Sequence, residues 1–188
     1  MTEKEDKLYA MRHSLAHIMA SAIQHLWPQV KFGVGPVIED GFYYDVDFSG
    51  VEFSDNDFKK IEAEMRLIIK ADLPFELIKM SINDAVEWAT KANQPYKLEL
   101  LHDLRRAGTT FLKDIDDSEL GLKSDSDKVK DVTFYKSGDL VDLCRGPHVE
   151  STGKVGAFKL TKTAGAYWRG KDTNPQMQRI YGLAFANR

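Results

Sequence analysis

From Leu8 to Val30 the chain carries a single fixed charge, Arg12, while Leu8, Met11, Leu15, Ile18, Ala22 and Leu26 recur at the spacing of one helical face. That face has to be buried, so the stretch predicts a helix around which the rest of the chain is built. The opposite face holds His13 and His17 among Ala10, Ala20, Ser21 and Gln24, small or neutral groups with no charge to keep it in bulk water. Two imidazoles four residues apart lie about 40° apart around a helix and share a face. Core on one side and histidines on the other read as the floor of a cleft between two lobes. The plainer alternative is a pair of core histidines bonded to carbonyls.

Trp27-Pro28 stops the helix, since proline supplies no helical donor. The Asp40-Gly41 pair between apolar runs signals a hairpin, and Gly33, Gly35 and Gly41 are assigned to turn geometry because neither GxGxxG spacing nor a Lys-Ser/Thr end is present. Ser54 opens a helix to about Ala71, with Asp55 and Asp57 at its positive end. Ser81 with Asp84 opens another to about Ala92. Phe75–Met80 and Tyr96–Leu101 read as strands, and the aspartates among serines and lysines at 114–130 read as an exposed, mobile connection.

A second ligand pair, Cys144-Arg-Gly-Pro-His148, uses the only cysteine and a third of the five histidines. Val132–Tyr135 and Leu140–Cys144 form a hairpin around Ser137-Gly138-Asp139, and alternation puts Asp142 and Cys144 on one face of the second strand. Gly146-Pro147 then turns the chain and presents His148 near that edge. A site assembled from both pairs needs only the fold to bring the two ends together. The bland reading of Asp142 is a strand-edge carboxylate in solvent.

With 43% apolar residues over 188, the chain can bury a proper interior as one domain or two small lobes on a shared core. One cysteine excludes a disulfide framework, no apolar run approaches the ~20 residues of a membrane span, and the polar start is no signal peptide, so a cytoplasmic protein with no membrane partner is expected. The net charge of −3 is unevenly spread: residues 151–188 hold seven basic side chains against Asp172 alone, a local +6, leaving −9 for the rest. Lys159, Lys162 and Arg169 lie there among Tyr167 and Trp168, a mixture that binds phosphates and stacks on unpaired bases, or else is core plus a solvated face.

His13-Ser-Leu-Ala-His17, Gly35-Pro-Val-Ile-Glu-Asp-Gly-Phe-Tyr-Tyr-Asp45, Pro95-Tyr-Lys97, Asp142-Leu-Cys-Arg-Gly-Pro-His148 and Ala164-Gly-Ala-Tyr-Trp-Arg-Gly170 together resemble the N-terminal editing domain of bacterial threonyl-tRNA synthetases. The match runs nearly end to end, and Gln178-Arg-Ile-Tyr-Gly182 resembles the passage toward that family's aminoacylation domain. Alanyl-tRNA synthetase and its freestanding relatives share the HxxxH and CxxxH pairs but not these longer motifs. The resemblance implies an α+β fold, a mostly antiparallel sheet with a central buried helix and two lobes around a cleft. It makes 1–188 a single editing, or second additional, domain, with 176–188 starting the link onward. No ubiquitin-like domain precedes Leu8, and no class II motif, ATP site or threonine-binding zinc site fits in this length. An excised editing part and a freestanding editing protein both match that pattern. Neither is expected to aminoacylate alone.

The implied reaction is hydrolysis of seryl-tRNA(Thr). A synthetic site separates threonine from serine by one methyl, worth about 1–3 kcal/mol, too little for translation. The partner implied is therefore the serine-bearing acceptor end of tRNA(Thr). This chain would be monomeric, whereas a full-length parent would be a homodimer ligating threonine with ATP. Carried over by motif, His13 and Cys144 place or deprotonate water, Lys97 stabilises the leaving ribose oxygen or oxyanion, Asp142 holds the substrate's amino group, and His17 and His148 complete the shell. Without the resemblance, Lys97 reads as a solvated lysine on an edge strand. Lys159, Lys162, Tyr167, Trp168 and Arg169 are the expected tRNA contacts.

No cofactor is required on this reading, ATP and a catalytic zinc belonging only to the absent aminoacylation domain. The rival is a zinc set of His13, His17, Cys144 and His148, as in alanyl-type freestanding deacylases. A covalent Cys144 thioester and a non-catalytic tRNA-binding module are the further alternatives. A zinc protease is disfavoured because Ser14 stands where HExxH requires glutamate.

Overall fold

The computed structural model describes residues 3–108 and 129–186. The connection expected at 114–130 falls, apart from its last two residues, outside them. Helix α1, Glu3–Leu26, opens with Glu3, Glu5 and Asp6 at its positive end and is buried continuously from Ala10 to Ile23. It ends at Leu26, stopped by Trp27-Pro28 as expected, since the residue preceding a proline is pushed out of the helical region. Strands β1 (Lys31–Phe32), β2 (Val37–Ile38) and β3 (Gly41–Asp47) follow, β2 and β3 forming the expected hairpin with Ile38 opposite Gly41. Next come α2 (Phe58–Ala71), β4 (Glu76–Ser81), α3 (Ile82–Lys91), α4 (Pro95–Ala107), β5 (Asp131–Ser137), β6 (Leu140–Leu143), β7 (Ala157–Tyr167) and β8 (Gln176–Phe185).

All strand pairs are antiparallel. One sheet runs β1-β3-β8-β7 with β2 also on β3, and the other runs β4-β5-β6. Two cores result. Leu15, Ile18, Met19 and Ile23 of α1 pack with Phe42, Tyr44 and Val46 of β3 and with Ile61 and Met65 of α2. Ala85, Ala89, Leu100, Leu101 and Leu104 of α3 and α4 pack with Phe134 and Leu143 of the smaller sheet. Helix α1 lies between them, touching β2, β3 and β8 on one side and β6 on the other. This is the expected α+β architecture with a central buried helix. No helix among the described residues is long and apolar enough to cross a membrane.

Ser81 caps α3 by accepting from the Asp84 N–H at 3.1 Å, and Asp57 Oδ2 accepts from the Ser54 N–H at 3.1 Å where a short 3₁₀ turn precedes α2. Two expectations are corrected. Tyr96–Leu101 is part of helix α4, not a strand: Pro95 occupies its first turn, Tyr96, Lys97, Leu100, Leu101 and Leu104 are buried at helical spacing, and Gly108, at φ 72°, caps its end. Gly35 and Gly41 are set by close approach rather than turn geometry. A Cβ on Gly35 would lie 2.3 Å from the Tyr44 ring, and one on Gly41 would lie 1.9 Å from the Gly182 carbonyl oxygen. Residues 176–185, within the stretch expected to start the link onward, form β8 between β3 and β7.

Candidate functional site

The helix floor and the hairpin edge meet. Cys144 Sγ, just past β6, lies 3.3 Å from His13 Nε2 of α1 and 3.3 Å from His148 Nε2, and it accepts the Gly146 N–H at 3.2 Å. Gly146 takes φ 81°, open mainly to glycine, and a Cβ there would press on the Tyr135 hydroxyl at 2.8 Å. His17 completes the group, its Nε2 3.5 Å from Asp142 Oδ2. The ring centres of His13 and His17 each lie 4.3 Å from that of His148. Phe75 stacks on the His148 ring and Tyr135 meets its edge, at 4.7 and 4.5 Å between centres.

Lys97 reaches the same cleft from α4. Its Nζ is 2.6 Å from Asp142 Oδ1 and donates to the Tyr44 hydroxyl at 3.1 Å, and Tyr44 donates in turn to Asp142 Oδ2. Lys97 is 3% exposed, so the solvated edge-strand reading is wrong. Asp142 is likewise buried and serves three partners rather than solvent. All six expected site residues are thus gathered at one place: His13, His17, Lys97, Asp142 and Cys144 line one cavity with Tyr9, Val34, Gly35, Pro36 and Tyr44, and His148 joins them through its contact with the Cys144 sulfur. The cavity is about 30 Å³; a water needs roughly 10–15 Å³ on the same measure. Tyr44, bonded to Asp142 and Lys97, and Ser14, whose Oγ lies 3.0 Å from His148 Nδ1, also touch this group, and motif reading left them without a role. Their signal was present, a tyrosine in the long glycine-flanked motif and a serine between the two histidines.

Burial governs the electrostatics. It lowers the His13 pKa to about 4, with Asp142 and the Pro147 carbonyl opposing only in part. Burial, then His13 and Lys97, hold His17 well below the ordinary imidazole value, and burial with its two histidine neighbours does the same to His148. Tyr44 is pushed well above the usual phenol range by burial and by Asp142. At neutral pH the three imidazoles are therefore neutral, and each offers one bare nitrogen. His13 Nδ1 sits 3.2 Å from the Pro147 carbonyl oxygen, which only accepts, so His13 carries its hydrogen on Nδ1 and points a bare Nε2 at the sulfur.

His13, His17, Cys144 and His148 present ligand atoms all within 4.8 Å of one another. Tetrahedral zinc, with bonds of about 2.0–2.3 Å, spaces its ligands by roughly 3.3–3.8 Å, so the donor set fits a metal after a small contraction. Bound there, zinc would supply Lewis acidity to a water.

The expected nucleic-acid face is largely paired within the fold. Trp168 is buried and donates from Nε1 to Glu99, and Arg169 NH2 is 2.6 Å from Asp103. Lys159 lies 2.9 Å from Glu62, and Arg179 clasps Asp45 through two bonds of 2.8 and 3.0 Å. Burial pushes the Glu62 carboxyl up, but bonds from Lys159, the Leu160 N–H and Arg66 outweigh it and leave it below the ordinary value. Tyr167 and Lys162 remain exposed, Lys162 with its ammonium 4.9 Å over the Tyr181 ring. Three of the tail's basic side chains, Lys159, Arg169 and Arg179, are thus counter-charges of acids earlier in the chain.

Residues 132–181 match the family described as threonyl and alanyl tRNA synthetase second additional domain. The chain is also similar to a threonine–tRNA ligase of Acetivibrio thermocellus, 44% identical over 95% of this chain and 25% of that protein. One from Streptococcus suis is 44% identical over 98% and 25%, and one from Clostridium acetobutylicum 42% identical over 99% and 26%. The chain spans about a quarter of the length of these relatives.

Proposed function

Because this chain belongs to the threonyl and alanyl tRNA synthetase second additional domains, on the side of the threonine–tRNA ligases, we propose that it proofreads by hydrolysing seryl esters on threonine tRNA. The observation that carries the proposal is the convergence of Cys144 Sγ and the bare His13 Nε2 with the Lys97–Asp142 pair around a water-sized space. Water adds to the ester carbonyl as His13, assisted by Cys144, takes its proton. The bond from carbonyl carbon to ribose oxygen then breaks, and the proton returns to that oxygen. A base held near pKa 4 accepts only in concert with attack, when the forming oxyanion raises its affinity.

The Lys97–Asp142 pair is neutral as a unit. A seryl ammonium beside Asp142 leaves the cleft one charge positive, and the developing oxyanion beside Lys97 cancels it, so the site favours the transition state over the bound ester. The serine-bearing acceptor end is the partner, no cofactor takes part, and ligation of threonine with ATP belongs to the remaining length of a full-size relative.

The test is deacylation of seryl-tRNA(Thr) by this chain. His13→Ala and Cys144→Ser should each lose about 100-fold or more in rate with tRNA binding unchanged, within the range of general acid–base effects. Parent rates in both variants would return the site to a passive tRNA-binding module. The clustered ligands favour a zinc-dependent deacylase as the second reading. Exhaustive chelation separates the two: the metal-free site keeps its rate, whereas loss restored by zinc favours the metal.

A further inference from the structure

Ser14 is fully buried between the two helix histidines and carries no charge, yet it touches the site through a route of its own. Its Oγ accepts the Val149 N–H at 3.0 Å and lies 3.0 Å from His148 Nδ1. A hydroxyl has one hydrogen to give, and a buried one left undonated is costly. Among the described residues the acceptor in reach is His148 Nδ1.

We propose that Ser14 is a positioning residue that fixes the tautomer of His148, and through it the hydrogen arrangement around Cys144. With Ser14 donating to Nδ1, neutral His148 keeps its hydrogen on Nε2, which faces Sγ at 3.3 Å. The sulfur then receives His148 Nε2–H and Gly146 N–H, and the bare His13 Nε2 stands 3.3 Å away as an acceptor for its own hydrogen. Val149 N–H, Ser14 O–H, His148 Nε2–H and the thiol form one directed chain that ends on His13, itself anchored by the Pro147 carbonyl. Two donors on the sulfur stabilise negative charge there, so the chain readies Cys144 to pass its hydrogen to the bare His13 Nε2 as the sulfur takes the proton of the attacking water. Phe75 and Tyr135 hold the His148 ring so that it stays in this chain. Ligation of a metal through His148 Nε2 requires the opposite tautomer, because a ligating nitrogen must be bare.

The inference rests on the proposed hydrolysis for its functional weight, but its first test needs no activity. Nitrogen-15 spectra of histidine-labelled full chain at neutral pH should show His148 with its hydrogen on Nε2 and His13 with its hydrogen on Nδ1. A wild-type His148 carrying its hydrogen on Nδ1 overturns the proposal. In Ser14→Ala the His148 signals should move toward a tautomer mixture, while Ser14→Thr, which keeps the hydroxyl, should restore the wild-type pattern. The same Ala variant should lose about tenfold in kcat for seryl-tRNA with KM unchanged, the order expected for one hydrogen bond. An unchanged tautomer in a folded Ser14→Ala protein also overturns it. A correct tautomer in a chain that fails to hydrolyse seryl-tRNA would instead remove the proofreading reading and leave the positioning role standing.

Discussion

Acidification should unfold this protein through its own site. In the unfolded chain an imidazole titrates at its ordinary 6.5, whereas burial holds His13 at about 4 in the folded state. Between those values the unfolded state binds the extra proton, so stability is intact above about pH 6.5 and falls as pH drops through the window toward 4. At about pH 5 the linkage from His13 alone removes about 2 kcal/mol, out of the roughly 5–15 kcal/mol a domain possesses. His17 and His148 are displaced in the same direction, so that figure is a floor. Urea unfolding of metal-free protein between about pH 7.5 and 5 measures it as a falling midpoint at constant slope. His13→Gln, which has no proton to gain, should flatten the curve. A midpoint unchanged across that interval would refute burial as the governing influence on these rings.

Two further outcomes follow from the ion pairs. Lys97→Met strands the buried Asp142 carboxylate and should cost about 3–5 kcal/mol in urea unfolding, with part recovered on adding Asp142→Asn; a loss below about 1 kcal/mol would mean that solvent already screens the pair. Lys162→Ala should reduce the slope of log affinity for tRNA against log salt by about one, because this lysine is exposed and holds no buried carboxylate. An unchanged slope would move the docking surface elsewhere.

The site was legible in the sequence because its chemistry comes in short-range pairs. His13 and His17 share a helix face, and Asp142 and Cys144 share a strand face, so local periodicity alone groups them. Lys97 was named by motif but misplaced. A short run led by tyrosine, with leucines to follow, satisfies strand propensity, and only packing of Leu100, Leu101 and Leu104 against α3 and the smaller sheet selects the helix. The pairing of the basic tail was hidden for a related reason. Composition shows charge but not whom it faces, and Glu62, Asp45, Glu99 and Asp103, spread through the first part of the chain, meet it only in the folded protein. Gly35 looked like a turn residue because the ring it makes room for, that of Tyr44, is reached through the hairpin, not through its neighbours.

Strand β8 has a consequence for the order of events during synthesis. It lies between β3 and β7, with Tyr44 opposite Ile180, so β3 waits for the chain from Phe48 to Pro175 before it gains this neighbour. Until residues 176–185 leave the ribosome, part of the apolar side of α1 has no sheet to close over it and β3 exposes an unpaired edge. Such late, distant pairing makes closure slow and keeps the nascent chain exposed to aggregation. The histidines of α1 are thus translated long before Gln176–Phe185, the strand that completes the sheet steadying their helix.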